Sequence, residues 1–508
     1  MKTVKKALIS IFNKNGIDEL LDILQKNDVE ILTTGGTFDY ISKKNYQAPL
    51  TKVEDLTGYP SILGGRVKTL HPKVFGAILN RRDCEQDIVD VKEYEIPSVD
   101  LVIVDLYPFE NTVKSGASDE DIIEKIDIGG ISLIRAAAKN FNDVVIISDT
   151  EQIPELVDVL KENNCQTSLE YRRKMAANAF NTSSYYDSVI FNYFNKNNDV
   201  NAFKVNHSKG VSLRYGENPH QSANFYGNID EIFTQLHGKE LSYNNLVDLD
   251  SGIRLINEFE QPTVAIIKHT NACGLASRDT MLQAWIDALA CDPISAFGGV
   301  IFLNGTIDNV ELANEINKLF FEIILATDYS PEALEILQSK KNRIILKKNS
   351  DNIEQKSYKS ILNGCLTQDY DNITDNIKDF NYVTNRKPVA NEVDDLIFAN
   401  IAVKHIKSNA ITLVKNKQLI GCGTGQTSRV DALKQAIIKA KSFGFDLNGA
   451  VMGSDAFFPF ADCVEIAKQE GIVAVIQPGG SLRDNDSIEF CNNNNIKMVF
   501  TGHRHFKH

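Results

Sequence analysis

With 508 residues, 43% of them hydrophobic and 24% charged, the chain has the composition of a water-soluble globular protein and is too long for a single core. No apolar run approaches the roughly 18 residues of a membrane-spanning helix, and the polar start Met1-Lys2-Thr3-Val4-Lys5-Lys6 lacks a signal-peptide core, so a cytoplasmic, multidomain α/β protein is expected. The net charge of −13 argues against a nucleic-acid surface while allowing a local basic pocket, and eight cysteines without a C-x-x-C argue against a disulfide framework or structural zinc.

From the start of the chain, strand and helix patterns alternate. Ala7 to Phe12 reads as a strand, Ile17 to Leu24 as an amphipathic helix, and Val29 to Leu32, Val99 to Val104 and Val144 to Ile147 as further strands. This alternation predicts a parallel sheet covered by helices on both faces, with ligands beyond the carboxyl ends of its strands. Thr33-Thr34-Gly35-Gly36-Thr37 stands at such an end. Small residues there let backbone N–H groups approach an anion at a helix N-terminus, and Ser10 and Lys14, after the first strand, would add contacts to a phosphate. A plain Gly-Gly turn is the alternative, since the motif is neither a Walker loop nor G-x-G-x-x-G.

Three further clusters carry chemistry. Gly64-Gly65-Arg66-Val67-Lys68-Thr69-Leu70-His71-Pro72 is a flexible loop with two fixed cations, and Asp105-Leu106-Tyr107-Pro108-Phe109 closes the Val99 strand. Asp127-Ile128-Gly129-Gly130 opens a helix that carries Arg135 and Lys139 on one face. Gathered in one cleft, these groups would polarise a carbonyl and move protons; scattered, they are solvated charges on loops.

A helical run from Leu169 to about Tyr193 and the polar Asn195-Lys196-Asn197-Asn198-Asp199 put a domain boundary near 200. Beyond it, Leu213-Arg214-Tyr215-Gly216 is either a phosphate clamp with a stacking ring or a turn-rich linker. Thr263 to Ile267 is a buried strand that ends in Lys268, His269, Asn271 and Cys273. Because unpaired buried charge is costly, such side chains at a strand end more often face a cleft than the core, the alternative being a capped strand end. The stretch has two comparable halves, joined by a segment from Lys347 to Asp379 rich in Asn, Asp, Lys and Ser that reads as a mobile connection.

Ser10 with Lys14, TTGGT, GGRVKTLHP, DLYPF, DIGG and RAAAKN, followed by LRYGENPHQ, IIKHTNACG, DPISAFGG, GQTSR, SDAFFPF and the terminal RHFKH, resemble in this order the bifunctional AICAR transformylase/IMP cyclohydrolase family over essentially the whole chain. The resemblance implies an N-terminal methylglyoxal-synthase-like parallel-sheet domain (1–200) and a C-terminal transformylase region (201–508) of two cytidine-deaminase-like αβα subdomains joined near 347–390. It implies formyl transfer from 10-formyltetrahydrofolate to AICAR, giving FAICAR and tetrahydrofolate, then dehydrative ring closure to IMP. Folate is a cosubstrate, no catalytic metal is expected, and a homodimer with shared transformylase sites is implied, with neither nucleic acid nor membrane as a partner.

On matching positions, the resemblance implies a cyclohydrolase site of Lys68, Tyr107, Asp127 and Lys139, with Ser10, Lys14, Thr34, Gly35, Gly36, Thr37 and Arg66 holding substrate and its phosphate. Phe12 stands where many relatives carry serine. The transformylase site would use Lys268, His269 and Asn409, with Arg214, Tyr215, Phe297, Arg429, Phe457, Asp462, Arg504 and His508 at or near the substrates. Core packing is the alternative for Phe297 and Phe457, and Ala272 replaces a proline common in the family, loosening the loop after His269. His269 is assigned as base toward the amine and Lys268 as the cation that helps folate leave; which of them moves which proton stays open. A zinc deaminase would need H-x-E and P-C-x-x-C, and His269-Thr270-Asn271 supplies neither. A sensor that has lost catalysis would not need to keep both residue sets.

Overall fold

The computed structural model describes residues 1–508. It divides into two compact units, Met1–Ser208 and Lys209–His508.

In the first unit, short apolar runs form β1 (Lys6–Ser10), β2 (Glu30–Thr33), β4 (Leu101–Val104) and β5 (Val145–Ile147), and the half-exposed Leu50–Lys52 forms the edge strand β3. They pair in the order β3-β2-β1-β4-β5, every pair parallel. Leu8, Ile9, Val102 and Ile103 are almost wholly buried, each contributing about 1.5–3 kcal/mol of apolar burial. Three helices matter for the site: α1 (Gly35–Ser42), α2 (Gly129–Lys139) and α3 (Leu169–Phe194). The strand order reverses between β1 and β4, whose last residues Ser10 and Val104 are in register. In an open parallel sheet the crevice outside such a reversal is where ligands bind.

The second unit contains the same element order twice. The first pass is α4 (Tyr243–Ile256), a hairpin of β6 (Thr263–Lys268) and β7 (Asn271–Ser277), α5 (Met281–Cys291), then β8 (Val300–Leu303), β9 (Ile323–Ala326) and β10 (Ile344–Lys348). The second is α6 (Ala390–Lys404), a hairpin of β11 (Ile411–Lys415) and β12 (Gln418–Gly423), α7 (Arg429–Ser442), then β13 (Val451–Ser454), β14 (Ala474–Gln477) and β15 (Lys497–Phe500).

All these strands share one twelve-stranded sheet that reads the same from either edge: Phe233–His237, β10, β9, β8, β6, β7, then β12, β11, β13, β14, β15 and Asn381–Tyr382. β7 and β12 meet antiparallel at the centre, with Ala276 opposite Gln418. The halves also repeat in detail. Each hairpin has its bulge at the corresponding step, Ile266/Ile267 and Leu413/Val414. In each, a glycine lies under the next helix: a Cβ on Gly274 would stand 2.3 Å from the Ala288 carbonyl oxygen, and one on Gly421 2.5 Å from that of Ala436.

Ala272 does not lie in a loop: it is 5% exposed within β7, opposite Ile267 at the bulge. Nor is Lys347 to Asp379 a loose connection. Lys356–Ile361 and Gly364–Asp369 form an antiparallel arm, and the segment after it is anchored by Asp375, 1% exposed, which accepts from Asn400 at 2.9 Å and pairs with His503 and His505. The polar composition reflects buried ion pairs and an exposed hairpin.

Candidate functional sites

In the first unit the expected residues, Lys139 apart, lie around the β1/β4 crevice. α1 begins at Gly35 directly after β2, and no side chain caps it, since the Thr34 hydroxyl is engaged with Ser10 Oγ at 2.9 Å. The Gly35 and Gly36 amides are thus left without a side-chain cap, the arrangement an anion site needs. Thr37 is turned inward, its hydroxyl donating to the Ile11 carbonyl at 3.0 Å. Lys14 folds back onto the carbonyls of Ile11 and Phe12 at 2.5 and 3.0 Å.

The loop carrying Arg66 and Lys68 bridges two helix N-termini. A Cβ on Gly35 would lie 2.8 Å from Lys68 Nζ, and one on Gly129 2.8 Å from Thr69 Oγ1. Lys68 also lies 3.8 Å from Glu54, while Arg66 pairs with Glu124 at the surface. Asp127 precedes α2 and accepts the Gly130 amide at 2.5 Å; burial and the neighbouring Asp105 raise its carboxyl above the usual range. Tyr107 is raised by burial, Asp127 and Asp105, and its ring meets Phe12 edge-on at 5.9 Å. Phe12 is exposed, and its amide donates to Asp105, a carboxylate raised by burial.

Lys139 is not brought to this cluster. It ends α2, whose eleven residues rise about 15 Å from the Asp127 end, on the side where β5 starts. Arg135, on the same face, donates to Ser183 of α3 at 3.1 Å.

In the second unit Lys268 and His269 sit on the tip of the β6–β7 hairpin. His269 and Thr270 are both left-handed, φ 52° and 63°, so the tip is a two-residue turn of the I′ kind. The Thr270 amide donates to Asp248 of α4 at 2.7 Å, and its carbonyl accepts from Ser251 at 3.0 Å. Lys268 Nζ donates to the Phe297 carbonyl at 2.8 Å, and the His269 side chain is exposed.

Asn271, the first residue of β7, ties this tip to the second half: its Oδ1 accepts from the Lys407 amide at 3.1 Å and from Thr424 Oγ1 at 2.9 Å. Asn409 therefore lies on a segment clamped to the hairpin tip. Its amide nitrogen donates to the Gln426 carbonyl at 2.9 Å and its oxygen accepts from Arg429 Nη2 at 2.8 Å. Arg429 is 8% exposed and paired with the fully buried Asp455. It supports Asn409 from below, with most of its donors already committed.

The remaining candidates are at the surface. Phe297 and Phe457 are 58% and 37% exposed, so neither is a core residue. Arg214 lies 4.7 Å from the Tyr215 ring and donates to its hydroxyl at 3.0 Å. Asp462 opens the helix Asp462–Gln469, its carboxylate accepting the Cys463 amide. Arg504 and His508 flank Phe506, at 4.4 and 5.5 Å from its ring.

Sequence reasoning missed Asp248, Ser251, Asp455 and Lys507. Lys507 is pushed down to about 8 by burial, and Nζ donates to Ser251 at 3.2 Å and to the His405 carbonyl at 2.9 Å. Its backbone pairs with Ser408 in both directions. A serine or aspartate inside an amphipathic helix carries no signal of this kind.

A family model described as AICARFT/IMPCHase bienzyme matches residues 137–439, and one described as MGS-like domain matches residues 16–132. The chain is 60% identical over 507 residues to the bifunctional purine biosynthesis protein PurH of Bacteroides thetaiotaomicron, covering 100% of this chain and 99% of that protein. It is 46% identical over 517 residues to PurH of Aquifex aeolicus, and 46% identical over 520 residues to that of Acetivibrio thermocellus, each time covering 99% of this chain and 100% of the relative. The first unit carries the MGS-like domain, and the chain belongs to the AICARFT/IMPCHase bienzyme family.

Proposed function

We propose that the two activities of this bienzyme divide between the two units, with formyl transfer at the Lys268–His269 hairpin tip and ring closure at the β1/β4 crevice. The chain carries out the last two steps of purine nucleotide synthesis: transfer of a formyl group from 10-formyltetrahydrofolate to AICAR, then closure of FAICAR to IMP. One observation carries the assignment of the first step: Asn271 joins the hairpin tip to the Lys407–Asn409 segment, gathering a cation, an imidazole and an amide.

The aromatic amine of AICAR is a weak nucleophile. As it attacks the formyl carbon, His269 takes its proton; a positioned histidine contributes about 10²–10⁴-fold in this role. Lys268 Nζ stabilises the tetrahedral oxyanion and supplies positive charge as the folate nitrogen departs. Asn409, held by Arg429, orients a substrate through its side-chain amide. Arg214, Tyr215, Phe297, Phe457, Asp462, Arg504 and His508 are proposed as substrate contacts.

In ring closure, the carboxamide nitrogen attacks the formyl carbon and water leaves. Holding FAICAR folded lowers the entropic part of the barrier. Lys68 faces the developing oxyanion, while Asp127 and Tyr107, both with raised proton affinity, hold and return protons. Ser10, Lys14, Arg66 and Thr34 to Thr37 cradle the 5′-phosphate. Lys139 stands too far along α2 to act within the same chain.

The repeated halves of the second unit support two cytidine-deaminase-like subdomains. Exposed apolar residues on the arm, Leu362 (97%) and Leu366 (57%), support a homodimer, proposed here to be cytoplasmic and to share its transformylase sites. Supplying AICAR and 10-formyltetrahydrofolate and following folate absorbance and IMP formation tests the activity, and light scattering at twice 56.6 kDa tests the dimer. A monomer would remove the shared-site part alone.

A further inference from the structure

The two halves of the second unit repeat one more feature. In the first, Asp248 of α4 accepts at 2.7 Å the amide of Thr270, the second of the two left-handed residues, His269 and Thr270, of the β6–β7 turn. In the second, Asp395 of α6 accepts the amides of Asn416 and Lys417 at 2.8 and 2.6 Å, the two left-handed residues of the β11–β12 turn. Neither turn contains the glycine that such backbone angles favour, and in each a helix carboxylate accepting from the turn's backbone compensates.

Beyond this the turns differ. At the second, Arg278 Nη1 donates to the carbonyls of Asn416 and Lys417 at 2.7 and 3.3 Å, and Lys417 is 3.3 Å from Asp394, so an arginine braces the turn's carbonyls. Counted from the two turns, Arg278 holds the place of Gly425, which brings no side chain to the first turn. At the first, Ser251, one helical turn beyond Asp248 on the same face of α4, donates to the Thr270 carbonyl, and Lys507 donates to Ser251. The peptide groups after His269 are therefore fixed at both N–H and C=O, and the imidazole projects from a clamped backbone.

We propose that Asp248 is a positioning residue for formyl transfer: by holding the Thr270 amide it fixes the turn from which the imidazole of His269 meets the amine of the substrate. Asp395 is its internal counterpart, doing the same backbone work at a turn that carries no reacting group. The proposal rests on the assignment of formyl transfer to His269.

The test uses the full chain with Asp248→Ala, Asp248→Asn, Asp395→Ala and His269→Ala, measuring formyl transfer, cyclisation of supplied FAICAR and melting temperature. Asp248→Ala is expected to lower kcat for formyl transfer at least tenfold, with KM for AICAR and cyclisation each within twofold. Asp248→Asn, which keeps one acceptor, is expected to recover part of that kcat and is the variant to read if the alanine chain does not fold. Asp395→Ala is expected to lower the melting temperature about as much as Asp248→Ala does, with kcat within twofold. Equal kcat losses from Asp248→Ala and Asp395→Ala, or an unchanged kcat in both Asp248 variants, would overturn the positioning role. Retention of formyl transfer by His269→Ala would instead overturn the underlying assignment.

Discussion

Arg429 Nη2 donates to Asn409 Oδ1 at 2.8 Å, while Nη1 of the same guanidinium is paired with the fully buried Asp455. One side chain thus closes a buried ion pair and holds the Asn409 amide proposed to orient substrate. Arg429→Met would leave Asp455 charged and unpaired, at a cost of about 3–5 kcal/mol. Adding Asp455→Leu should restore most of that stability, while formyl transfer stays low because Asn409 still lacks its donor. Denaturant unfolding and initial rates on the single and double variants check both halves. Recovery of activity together with stability would mean that Arg429 serves the fold alone.

Gly35 has helical angles, and the only atom a Cβ there would crowd is Lys68 Nζ, the end of a flexible side chain. Gly35→Ala should leave stability within about 1 kcal/mol, since alanine is the better helix residue. Cyclisation of supplied FAICAR should fall at least tenfold as Lys68 is displaced, with formyl transfer unchanged. Wild-type cyclisation would remove Lys68 from the site.

Asp127 is raised because burial and Asp105 disfavour its charge. A carboxyl raised in the native state contributes stability that is present when protonated and is lost as pH rises through its native value. Asp127→Asn should therefore melt above the wild type at pH 7, with the difference shrinking as pH falls through the carboxylate range. Cyclisation should be lost throughout. A difference that grows toward acid pH would contradict the raised carboxyl.

His505, 1% exposed, is raised to about 9 by Asp371 and Asp375 against its burial, with Asn400 and His503 also on Asp375 and Lys404 close to Asp371. Its native value lies above the ordinary 6.5, so its contribution is complete below about pH 6.5 and lost as pH rises toward 9. His505→Gln should accordingly cost about 3 kcal/mol more at pH 6 than at pH 9, by the conversion of a pKa shift to free energy. Chemical unfolding at the two pH values decides it; a penalty independent of pH would mean that the ion pairs carry no net charge.

Much of the first unit was legible because buried parallel strands are continuous apolar runs: four of the five strands fall within two residues of the expected spans. The missed one, Leu50–Lys52, is a half-exposed edge strand of three residues with no run to detect. The hairpin tip at His269 was unreadable for a different reason. Turns of this type announce themselves through glycine or asparagine, and here the stabilising partner, Asp248, sits in a helix about twenty residues upstream. The motif RAAAKN suggested a cation beside Asp127, but helix rise carries Lys139 to the opposite end of the sheet. The twofold arrangement of the second unit lies in strand order and register, which composition does not encode.

The central claim is that one chain holds two independent sites, and His269→Ala in the full-length protein tests it most directly. Formyl transfer to AICAR should fall by about 10²–10⁴-fold, the contribution of a positioned general base, while supplied FAICAR is cyclised at the wild-type rate. Loss of both activities in a chain that still melts cooperatively at the wild-type temperature, or retention of formyl transfer, would contradict the account.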